Sequence, residues 1–189
     1  MVVTSTSLST GASVTSDASD VDPLTSWRLW TSRHPVGASL IAGAVGTHMA
    51  TVLGLWFHGI GLPNLNWPTT NGAVIFPKGS AVAQFWGGYV VHTLDGLVFG
   101  LLFALLVHSK LPLPNTSLGN IAKGILYGTV LAIISAGWMV PYVYDPHSGA
   151  GLFSTGFGGK LVFAIFLWHW IFGFFLGVLY NPLPRRTSH

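Results

Sequence analysis

The sequence predicts an all-α integral membrane protein with four transmembrane helices, arranged as two similar helical hairpins, both termini cytoplasmic and a flexible N-terminal tail. Three observations predict it. Half of the 189 residues are apolar and only 7% are charged, against roughly 25% in a soluble domain; mean hydropathy is +0.59. The apolar residues gather into four runs, each long enough at about 1.5 Å per residue to cross roughly 30 Å of hydrocarbon. The second and fourth runs carry the same motif, a histidine followed by two glycines at four-residue spacing.

Residues 1–25 form a Ser/Thr-rich tail with Asp17, Asp20 and Asp22, and no Lys or Arg precedes Arg28. Lacking a basic start and an apolar core before a cleavage site, this stretch is not a signal peptide. Its composition predicts disorder, unless a partner subunit holds it.

The transmembrane domain is expected over 26–184, followed by a short tail at 185–189. Span 1 covers about 37–60, after Arg28, Arg33 and the helix-starting Pro35. Span 2 covers about 81–107, and span 3 about 118–140, stopped by Pro141. Span 4 covers about 161–180 and ends before Pro182 and Pro184. Arg28, Arg33, Lys110, Lys123, Arg185 and Arg186 fall on the side of the termini, with Lys78 and Lys160 opposite. The positive-inside rule then places both termini in the cytoplasm of a cell inner (plasma) membrane. Lys123 and Lys160 are expected to snorkel to headgroups. Segments 61–80 and 141–160 become outer loops, with aromatic side chains suited to the interface.

A net charge of +3 on eight Lys and Arg makes no basic stripe, which argues against nucleic acid. The absence of cysteine excludes disulfides, covalent c-type haem and thiolate metal sites. No Ser-His-Asp set, paired carboxylates or phosphate loop is apparent, so an independent enzyme is the least supported class.

An offset of 77 carries Asn71–Phe76 onto Ser148–Phe153, His92 onto His169, Gly96 onto Gly173 and Gly100 onto Gly177. Two similar hairpins in one orientation, related by an axis along the membrane normal, would follow. The run Gly43 to Thr47, Trp86 to His92, Gly124-Ile-Leu-Tyr-Gly128 and the ending from His169 to Tyr180 also resemble a family of small four-span bacterial membrane proteins, classed as a domain of unknown function. The resemblance covers about residues 37–182. It implies the architecture and no activity.

Ionisable side chains inside a span are costly and face a bundle interior or water. His92 and His169 fall at matched depth, a geometry able to hold haem b between helices 2 and 4, with iron ligated from both sides. A second arrangement takes His48, His92, Asp95 and His169 as a mixed site for copper, zinc or iron. Gly88, Gly96, Gly100, Gly173 and Gly177 then provide either clearance for a cofactor or a close helix seam. These two options exclude each other. Tyr142, Asp145 and His147 form an outer-loop candidate for a quinol pocket or a metal, or simply a Pro-shaped turn.

The expected function is an accessory integral-membrane subunit of a multi-subunit redox complex of the oxidase or monooxygenase type. Its partners would be the lipid bilayer and larger membrane subunits. A purely structural subunit and a small proton or solute transporter using His48, His92 and Asp95 are the alternatives.

Overall fold

A computed structural model describes residues 22–147 and 149–184, which are helical throughout apart from short connections. The chain opens with α1 (Pro23–Arg33). Asp22 caps it, accepting from the Thr25 amide at 3.0 Å and the Leu24 amide at 3.4 Å, while Pro23 fills the first helical position. The Thr25 amide and hydroxyl hold the Asp22 carboxyl below the ordinary carboxylate range. The expected tail therefore gives way to helix by residue 23, and residues 1–21 and 185–189 lie outside the described residues.

Among the described residues, four helices are long and apolar enough to cross a membrane. The first is α2 (Pro35–Gly54), shorter than expected because residues 57–60 form a separate 3-10 turn. The others are α4 (Ala81–Leu102, continuing as a π-helical stretch to Val107), α5 (Ser117–Ile134, continuing likewise to Tyr144) and α6 (Gly159–Leu179).

Two expectations need correction. Segment 61–80 is not a plain loop, because it contains α3 (Trp67–Ile75), capped by the Asn66 side chain on the Thr69 amide at 3.1 Å, with Pro68 in its first turn. Pro141 does not stop the third span. It lies inside the π-helical stretch Ser135–Tyr144, whose wider turns tolerate the missing N–H.

Glycine decides how the helices meet. A Cβ on Gly43 of α2 would strike the Gly96 carbonyl of α4, and one on Gly96 would strike the Thr47 side chain. A Cβ on Gly100 would come within 2.6 Å of the Ser39 carbonyl and 3.0 Å of the Gly43 Cα. The α5–α6 contact repeats the device: Gly124 and Gly173 each face the other's backbone, and Gly177 faces that of Asn120 and Ile121. Gly88 serves a different seam, against Pro68 and Gly72 of α3. Small residues at a crossing let two backbones approach and gain dispersion contact, the main attraction between helices in lipid.

The two segments matched in sequence differ in structure. Asn71–Phe76 is helix α3 with its C-cap, whereas residues 149–151 are irregular and lead into a 3-10 turn (Leu152–Phe157) in which Phe153 and Ser154 both take a left-handed φ of 57°. The Ser154 hydroxyl anchors that turn by donating to the Ala136 carbonyl at 2.7 Å.

Candidate functional site

His92 comes from the middle of α4 and His169 from the middle of α6. Both are buried, and both line one cavity of about 270 Å³. The Trp168 ring lies beside both imidazoles, with centroids 5.3 Å from His92 and 5.0 Å from His169. These two residues thus reach one cavity.

Their chemistry differs. His92 is saturated: the Asn71 side-chain amide donates to Nδ1 at 3.2 Å, and Nε2–H donates to the Thr51 hydroxyl at 3.1 Å. Thr51 in turn donates to the Thr47 carbonyl at 2.7 Å. This chain of bonds fixes the His92 tautomer and ties α3 and α2 to α4. His169 uses only Nδ1, which donates to the Ile165 carbonyl at 2.7 Å. A carbonyl can only accept, so Nδ1 carries the proton and the neutral ring keeps a lone pair on Nε2.

That arrangement does not fit a haem held from both sides, because His92 has no ring nitrogen left for iron. The glycine stripes offer no clearance either, since opposing backbone fills the space beside them. The four-residue metal set is not assembled. His48 is exposed and bonds the Tyr89 hydroxyl through Nδ1 at 2.5 Å, on a different face of α2 from the cavity. Among the described residues, no three His, Asp, Glu or Cys side chains are grouped to hold a metal.

Asp95 does join the cavity, half-buried one turn beyond His92. Its carboxyl has no hydrogen-bond partner among the described residues, and the same is true of the Ser135 and Tyr144 hydroxyls, which also line the space. Of the outer-loop candidates, Tyr142 is 63% exposed, and Asp145 and His147 are exposed beyond the helix end, so the trio makes no pocket. Tyr144 is the residue from that segment that enters the cavity, its ring tilted at 40° to Trp67 of α3 with centroids 5.6 Å apart.

The π-helical stretch explains why a cavity exists at this level. Ser135, Trp138, Met139 and Tyr144 all come from it and form one wall. A π turn shifts the register of the side chains, so residues an α-helix would turn elsewhere face α4 and α6. Trp67, Trp168 and Phe172 close the inner side, while Phe99, Ile134 and Trp138 stand at the outer edge, 37%, 45% and 56% exposed.

Sequence reasoning found His92, Asp95 and His169, and missed Trp67, Ser135, Tyr144 and Trp168. The signal for the last group was faint: a serine and a tyrosine flanking a proline that reads as a stop, a Trp67 that reads as an interface anchor, and a Trp168 lost in an apolar run.

Comparison with protein-family models, with curated proteins and with solved structures finds no match. The resemblance to small four-span bacterial proteins accordingly adds nothing to what the residues carry themselves.

Proposed function

We propose that the cavity binds the polar head of a lipid-soluble molecule, a hydroquinone or quinone ring being the chemical class that fits, and that the chain serves as an accessory membrane subunit of a redox complex through this site. The observation that carries the reading is the set of polar groups with unused hydrogen-bonding capacity around one apolar space: the Asp95 carboxyl, the Ser135 and Tyr144 hydroxyls and the Nε2 of His169. A pocket that is mostly apolar with a few convergent polar groups is the usual form of a small-molecule site.

The pattern of donors and acceptors narrows the occupant. His169 Nε2 and the Asp95 carboxyl accept, which suits phenolic O–H groups, while the Tyr144 and Ser135 hydroxyls can donate to a ring carbonyl. Aromatic walls from Trp168 and Phe172 suit a flat ring. At about 270 Å³ the space suits one ring rather than a macrocycle. With the helices crossing a bilayer, the edge formed by Phe99, Ile134 and Trp138 faces lipid, so the ligand arrives from the membrane. A packing role alone accounts for the glycine seams and for His92 but gives the four polar groups no purpose.

Titrating the purified protein with a short-chain quinone and following tryptophan fluorescence tests the reading. Saturable quenching is expected, weakened about tenfold or more in His169→Phe and in Asp95→Leu, because each removes an acceptor for a ligand hydrogen bond. His48→Ala, away from the cavity, serves as the control and keeps full affinity. Quenching that is linear with concentration and equal in all four proteins overturns the proposal.

A further inference from the structure

Lys123 sits on the second turn of α5 and is 2% exposed, against the expectation that it snorkels. Its ammonium donates to the Asn115 side-chain oxygen at 2.5 Å, a neutral partner. The Arg28 guanidinium reaches the same residue, donating through Nη2 to the Asn115 carbonyl at 2.5 Å and to the Pro182 carbonyl at 3.2 Å, and its Nε is buried without a partner. Among the described residues no carboxylate pairs with either cation. Two cations thus meet across one asparagine, with no counter-charge among the described residues.

A cavity of about 600 Å³ lies beside Lys123, lined by that residue with Asn115, His108, Ser109 and Thr31. Thr31 is fully buried and its hydroxyl has no partner. His108 presents an imidazole whose Nε2 donates to Asn120 Oδ1 at 2.9 Å. Leu105, Leu111 and Leu113 give the same cavity an apolar border. Packing an ammonium away from water without an opposite charge is unfavourable, and phosphate oxygens are the acceptors that Lys, Arg and hydroxyl groups hold best.

We infer that this second cavity binds a phosphate group, and that the group is the head of an anionic phospholipid seated against Lys123 with its acyl chains along the leucine border. The site is separate from the His169 cavity and independent of what that cavity binds. It lies at the end of the bundle where α1, the start of α5 and the end of α6 meet. A basic pocket between helices at a membrane edge is a form that lipid headgroups recognise.

Native mass spectrometry of the full chain in detergent, with equal phosphatidylglycerol and phosphatidylcholine added, tests the inference. One retained phosphatidylglycerol is expected, reduced about fivefold in Lys123→Gln, the weight of one basic residue facing an anionic headgroup. Asn115→Asp supplies the missing carboxylate within the protein, so it is expected to keep the fold while displacing the lipid. This variant keeps the test open if Lys123→Gln does not fold. A parallel thermal melt with inorganic phosphate separates the sources: stabilisation by phosphate without retained lipid shows a free anion as the occupant and overturns the lipid assignment. Equal retention of both lipids, or retention unchanged in both variants with no effect of phosphate, overturns the site.

Discussion

The Asn71 side-chain amide donates to His92 Nδ1 at 3.2 Å, joining the short helix α3 to the middle of the spanning helix α4. Asn71 is 5% exposed, so water does not replace it. Asn71→Ala is expected to lower stability by about 0.6–2 kcal/mol, the range for side-chain bonds between membrane helices. Reversible unfolding in mixed micelles measures it. An unchanged midpoint would show that α3 is held by packing alone.

Gly96→Ala and Gly173→Ala each push a methyl group into the facing helix, onto Thr47 and onto the Gly124 backbone. Each is expected to cost about 1–3 kcal/mol, the usual range for overpacking. A Cβ on Gly59 meets nothing within 4 Å, so Gly59→Ala is the neutral comparison. Thermal melts of the three variants side by side distinguish seam from bystander.

Tyr144 and Tyr142 stand two residues apart, yet only Tyr144 lines the cavity. Tyr144→Phe should weaken quinone binding about fivefold, the loss of one net hydrogen bond. Tyr142→Phe should leave it unchanged. The fluorescence titration reads both.

Asp22 accepts hydrogen bonds from Thr25 and Leu24, and its folded pKa lies below the ordinary carboxylate value. The unfolded state therefore binds the proton more readily. The cap's contribution is fully present above the ordinary carboxylate pKa and is lost as pH falls through the lowered folded value. Emission from Trp27 and Trp30 on α1 should shift over that acidic window, and Asp22→Asn should flatten the response. A shift of equal size in the variant would rule out the cap as its origin.

Much of the fold was legible because a helix able to cross a bilayer must be long and apolar, and the four runs carry both features plainly. The glycine stripes were legible as a choice between seam and clearance, and the backbone contacts at Gly96 and Gly173 decide it for the seam. Helix α3 escaped because nine residues carry too little periodicity, although Asn66 and Pro68 already spelled a helix start. Pro141 misled because a proline stops an α-helix far more often than it sits in a π turn. Direction was the other hidden quantity. His48 and His92 each lie near mid-span, and sequence spacing alone does not say that one turns outward to Tyr89 while the other turns inward to Thr51. Lys123 shows the same limit, since a lysine at a span start snorkels by default and only the placement of Asn115 keeps it inside.

Trp27 donates its indole N–H to the Leu179 carbonyl at 2.8 Å, and the Leu183 amide donates to Ser32 at 2.9 Å, contacts separated by about 150 residues of chain. A ribosome delivers α1 long before it delivers those partners. Through most of synthesis α1 has its own cap, α2 and the Arg28 bond to the Asn115 carbonyl, and lacks these two contacts. Their formation is therefore the closing step of its docking, and it marks the packing of α6. A chain arrested before Leu179 would carry all of α1 and none of its latch.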